Sequence, residues 1–168
     1  MPTLRFRRRR RRGAAPETAA EAEGTADAPT VRQIDIGVEW EPNIECAVLG
    51  SDEWGNAVVA IEAHMDDPDQ RTVVLAWRRC MLALMQGTND EARHRHHLAD
   101  AGLGDVSWIG EVTGSERARE LQEHRYQSTP LHHYVLPLKG SVVEIIAEGL
   151  SVTRSDLPPN EAILDSLR

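Results

Sequence analysis

Apolar positions along this chain recur mostly with a period of two, and one stretch departs to a helical period. In VRQIDIGVEW (31–40), Ile34, Ile36, Val38 and Trp40 alternate with Asp35, Gly37 and Glu39. That is the spacing of a half-buried strand, whose successive side chains point to opposite faces. IECAVLG (44–50) reads as a second strand after an EPN turn, and AVVAIEAHM (57–65) as a third after the SDEWGN turn. In the third, Val59, Ile61 and Ala63 are expected to face inward, with Glu62 and His64 outward. TVVLAWRRCMLALMQG (72–87) is the most apolar stretch. Its β-branched start favours a long central strand, with a bulge near Arg78 and Arg79. DVSWIGEVTG (105–114) is strand-like, and LHHYVLPLK with SVVEIIAEGLSVTR supplies two or three strands around a Lys139-Gly140 turn.

SERARELQEHRYQ (115–127) predicts a helix: Ser115 as N-cap, Glu116 in the first turn, Ala118 and Leu121 on one face, and Pro130 beyond its end. The C-terminal LPPNEAILDSLR reads as a tail with a short helix capped at Asn160. Residues 1–30 have no hydrophobic period and predict disorder. A single main helix supplies too few crossovers for a parallel sheet. The expectation is an α+β fold, a mostly antiparallel β-sheet with one main helix, over residues 31–154. A disordered Arg-rich and then acidic tail (1–30) precedes it, and a C-terminal tail (155–168) follows.

Composition adds limits. At 168 residues and 40% hydrophobic content the chain fits one domain with one core. No apolar run reaches a dozen residues, so no membrane span is expected. The start MPTLRFRRRRRRG is basic like the head of a signal peptide, but AAPETAAEAEGTADAP follows where an apolar segment would stand, so a cytoplasmic location is expected. Cys46 and Cys80 are expected to be reduced and buried. The net charge of −8 hides an asymmetry: Arg5 and the run Arg7, Arg8, Arg9, Arg10, Arg11 and Arg12 leave 12 basic against 27 acidic groups in residues 13–168, a net of −15. So acidic a body is a poor nucleic-acid binder. The arginine run could engage nucleic acid or an anionic surface, although a solubilising tail is the simpler reading.

Candidate chemistry gathers in TNDEARHRHHLADAGL (88–103). A metal site drawing on His94, His96 and His97, completed by His132, His133 or Glu144, competes with a polar loop. HExxH, CxxC and paired Cys/His spacings are all missing, and two arginines interleave the histidines, so no metal and no cofactor are expected. Asp90, Glu91 and His96 are an acid–base candidate, against the reading that Asn89 and Asp90 are simply turn formers. Gly102 and Gly104 form a GxG followed by a strand rather than a helix, which argues against a phosphate loop. Trp54, in a turn with Asp52 and Glu53, is the one tryptophan expected at the surface.

Asn89-Asp90-Glu91-Ala92, His96, Gly102-Leu103, Glu120-Leu121, His133 and Val143-Glu144 with Ala147 together resemble the pattern of a small uncharacterised bacterial protein family, over roughly residues 70–150. The chain departs from that pattern at Arg95, where a glycine precedes the histidine, and at Arg125 and QSTP, where Asn and a His-Pro pair follow the helix. The resemblance implies that Asn89, Asp90, Glu91, His96, His133 and Glu144 matter, as a pocket or as a polar network tying the loop to the sheet. It gives His94 and His97 no part and names no reaction. The leading expectation is a non-enzymatic binding or interaction module with an unknown protein partner, recognising it through Asn89, Asp90, Glu91 and His96. The alternative is a small enzyme using Asp90, Glu91, His96, His133 and Glu144 on a small polar substrate.

Overall fold

A computed structural model describes residues 28–41, 43, 46–126 and 128–168. The arginine run and nearly all of the segment expected to be disordered lie outside the described residues. The strands are β1 (Thr30–Gln33), β2 (Val48–Ser51), β3 (Ala57–Ile61), β4 (Thr72–Arg78), β5 (Leu82–Gln86), β6 (Gly110–Thr113), β7 (His132–Pro137), β8 (Val142–Ala147) and β9 (Gly149–Ser155). Two helices, α1 (Glu116–Glu123) and α2 (Pro159–Ser166), join them. Pairing gives a five-stranded sheet, β1-β6-β7-β8-β5, and a four-stranded sheet, β2-β3-β4-β9, antiparallel throughout. The fold is α+β and mostly β.

Alternation within the strands builds the layers. Ala57, Val59 and Ile61 of β3 and Val73, Leu75 and Trp77 of β4 meet Tyr134 and Leu136 of β7 and Val143, Ile145 and Ala147 of β8 in the main core. The other face of β3 and β4, with Val58, Ala60 and Val74, is covered by Ala162 and Ile163 of α2. This explains why AVVAI is buried at every position: a strand covered on both faces reads as a continuous apolar run. The C-terminal residues expected to form a tail therefore cover a sheet. Their helix starts from Pro158 with Pro159 in its first turn, not from an Asn160 cap, and a proline there forgoes no helical hydrogen bond.

Several expected strands are shorter than the pattern suggests. β1 stops at Gln33 because the Asp35 carboxylate accepts from the Gly37 amide (2.8 Å) and Gly37 adopts φ +73°. Ile34, Ile36 and Val38 still pack on the core. The long strand read over 72–87 divides at the expected place. Arg78 pairs with Gly149 and Leu82 with Ile146, so three residues face two across the gap. That is a bulge, and Arg79 sits in it at φ +51°. Beyond it the chain passes from the four-stranded to the five-stranded sheet, while β8 and β9 make the same passage opposite. Arg79 and Arg125 both pair with Glu148 there. The cysteines differ from expectation: Cys46 is exposed and Cys80 half-buried, both free. Trp54 is at the surface, 80% exposed.

Candidate functional site

Glu144 is the only acid in the run SVVEIIA of β8, and alternation places it on the face of the five-stranded sheet away from the main core. There it stands opposite Val135 of β7 and Leu84 of β5. Its diagonal neighbours are His133, which pairs with Ile146, and Gln86, which pairs with Val142. Both are within reach of a long side chain. The segment 88–105 lies over this face in three 3₁₀ turns, Asp90–Arg95, Ala99–Ala101 and Leu103–Asp105. Leu98, Leu103 and Val106 pin it by packing against Val31, Val112, Val135 and Val142. Gly102, at φ +106°, closes the second turn where a side chain would meet the Val31 carbonyl at 3.0 Å.

The covered carboxylate is 0% exposed and ringed by nitrogen. The Gln86 amide donates to Oε1 (2.8 Å), His97 Nε2 lies 3.0 Å from both oxygens, and His133 Nε2 lies 3.0 Å from Oε2. His96 Nε2 stops 3.4 Å from Oε1 and has no hydrogen-bond partner among the described residues. Burial alone would push the Glu144 carboxyl up. Hydrogen bonds from His133 and His97, with their electrostatic support, overcome this and hold it down at about 2. It is therefore an anion that only accepts. His133 then donates through Nε2, and in the neutral ring its Nδ1 accepts from the Ser115 hydroxyl 2.8 Å away. Ser115 also caps α1 as expected, accepting from the Ala118 amide at 3.1 Å. His96 is held neutral chiefly by burial, which outweighs the pull of Glu144. Its Nδ1 accepts from the Leu98 amide (3.2 Å), leaving the proton on Nε2.

Three of the expected residues, His96, His133 and Glu144, converge. The other three take up separate places. Asn89 caps the first 3₁₀ turn, accepting from the Ala92 amide at 3.0 Å. Asp90 pairs with Arg93, and Glu91 is exposed. His97, given no part by the sequence pattern, is instead a principal contact, with 53% of its side chain exposed. Gln86 and the second bond of Ser115 were also missed. A lone glutamate within an otherwise apolar strand signals that polar partners exist, since a buried charge requires hydrogen bonds, but it does not say which residues supply them. His94 remains exposed on the loop.

His97, Ser115 and His133 line a cleft of about 450 Å³ with Glu116, Arg117 and Glu120. Larger clefts of about 690 and 710 Å³, around His64, share no residue with this cluster. Among the described residues no helix is long and apolar enough to cross a membrane. No family model, no curated protein and no solved structure matches the chain.

Proposed function

We propose that this protein is a binding module and that the loop 88–105, seated over Glu144, is its ligand-recognising element. The observation that carries the reading is the fully buried carboxylate on which His97, His133 and Gln86 converge, with His97 reaching solvent. A buried ionic cluster is not an economical way to hold a loop down. Apolar residues of similar volume often serve stability as well or better. A cluster that also has an exposed imidazole beside a cleft suits recognition. Asp90, paired with Arg93, and Glu91, exposed to solvent, stand outside the cluster and so drop out of both the binding set and the acid–base set expected from sequence.

A thermal-shift screen of the purified full chain against metal ions, inorganic anions and small organic acids tests this reading. At least one class is expected to raise the melting temperature by several degrees, as a ligand bound only by the folded state must, and His97→Ala is expected to abolish that rise. No shift from any class overturns the reading.

A second reading rests on a separate observation, the relay Ser115–His133–Glu144, which aligns a hydroxyl, an imidazole and a carboxylate beside the cleft. Such a chain activates a nucleophilic hydroxyl. Labelling of Ser115 by a fluorophosphonate, lost in His133→Ala, would replace binding with acyl transfer.

A further inference from the structure

We infer that His96 Nε2, His97 Nε2 and Glu144 Oε1 form the binding site of one divalent first-row transition-metal ion of the zinc, cobalt or nickel class. This rests on the loop being the ligand-recognising element and names what it recognises. The donor atoms of these three residues all lie within 4.8 Å of one another. The two nitrogens stand 3.0 and 3.4 Å from the same carboxylate oxygen. Adjacent ligands on an ion bound at about 2.0–2.2 Å are themselves roughly 3 Å apart in octahedral and 3.4 Å apart in tetrahedral geometry. Two of the three donor separations therefore already match those around a bound ion.

Three further features support an ion rather than a hydrogen-bonded latch. First, the His96 side chain is 1% exposed, yet its Nε2 points toward the carboxylate without a hydrogen bond. A buried polar atom left so is unfavourable, and a metal would satisfy the nitrogen once its proton moves to Nδ1. Second, the groups facing the buried anion are imidazoles and an amide, all of them uncharged or weakly basic donors rather than a lysine or arginine, which leaves the carboxylate open to a divalent cation. Arg93 is no obstacle, because Asp90 neutralises it. Third, the carboxylate is held from behind. His133 fixes Oε2 and is itself fixed by Ser115, while Gln86 donates to Oε1. Partners of this kind orient the ligands of metal sites.

The half-exposed His97 edge, opening on the cleft, gives an ion access and leaves room for water in the remaining positions. Two imidazoles and a carboxylate, with no thiolate among the three, suit zinc, cobalt or nickel better than calcium or magnesium. The proton balance is simple: each neutral imidazole gives its Nε2 lone pair to the ion and carries its proton on Nδ1. His96 must then release its 3.2 Å contact with the Leu98 amide.

The test is titration of the chelator-treated, dialysed full chain with Zn²⁺ and Co²⁺ by calorimetry, with the visible absorption of Co²⁺ reporting coordination. One equivalent per chain is expected, with no uptake of Ca²⁺ or Mg²⁺. His97→Ala, with its fold checked by circular dichroism, is expected to weaken affinity by more than about a hundredfold. Gln86→Ala should weaken it by about ten- to a hundredfold. His94→Ala, on the same loop but outside the cluster, should leave it unchanged. Absence of stoichiometric uptake, or equal losses in His94→Ala and His97→Ala, overturns the proposal. If another ligand class raises the melting temperature in a His97-dependent way while metals do not, the metal assignment falls and the binding reading stands. If no class does, both fall.

Discussion

Glu144 concentrates most of what single residues decide in this protein. A glutamate between Val143 and Ile145 is legible as a site from sequence alone, because a strand buried on both faces tolerates a charge only when it is hydrogen-bonded. His96 and His133 are grouped with it in the sequence only by the family resemblance. His97 and Gln86 were not, since their approach depends on pairing β5 and β7 to either side of β8 and on the path of a 3₁₀ loop, none of which a local period encodes. The carboxyl's depression to about 2 from an ordinary 4.5 has a definite sign. The stabilisation it represents is complete above pH 4.5 and is lost as pH falls toward 2. In metal-free protein Glu144→Gln is expected to cost roughly 3 kcal/mol at pH 7. That deficit should shrink as pH drops below 4.5. Denaturant melts at pH 7, 4 and 3 check this, and a deficit that stays constant would show that the ring of donors does not favour the ionised form.

At the scale of elements, the strands were well marked in kind and poorly marked in length. The period-two signal continues through Ile34, Ile36 and Val38 because those residues do face the core. An Asx turn nevertheless ends the ladder, and apolar alternation cannot register hydrogen bonding. The terminal helix was visible, but its role as the cover of β3 and β4 was not, since only the two-sided burial of AVVAI hinted that something must lie there. The seat of the loop can be tested at two glycines. A Cβ on Gly110 would meet Val31 at 2.9 Å and Val106 at 3.1 Å, whereas one on Gly104 meets nothing within 4 Å. Gly110→Ala should therefore destabilise by about 1–3 kcal/mol. Gly104→Ala should be neutral or stabilise by up to about 1 kcal/mol. Hydrogen exchange of the 96–106 amides should rise in the first variant alone.

For the whole molecule, composition and strand rhythm were enough to reach a mostly antiparallel α+β fold with one main helix. They did not reveal that the strands divide into two sheets, because the pairings of β1 with β6, β5 with β8 and β4 with β9 join residues many tens of positions apart. Charge segregation makes a testable statement at this scale. Seven arginines stand before a body of net −15, so any affinity for polyanions should reside in residues 1–13 and fall steeply with salt. The full chain is expected to be retained on immobilised heparin at low ionic strength, and a chain lacking residues 1–13 to flow through. Equal retention of both would place the polyanion-binding surface on the body instead.

The bulge at Arg79 has a kinetic consequence. β4 with β5, and β8 with β9, make one bent two-stranded ribbon that runs along one edge of each sheet and joins the two. Its pairs join positions 56 to 83 residues apart in the chain. Neither sheet gains its last strand until that ribbon closes, so the two sheets are completed together. Refolding should be slow for a chain of this size, because closure entropy must be overcome before either sheet is complete. Unfolding should be a single transition, with the tryptophan fluorescence of Trp77 in one sheet and exchange of the Glu144 amide in the other lost together.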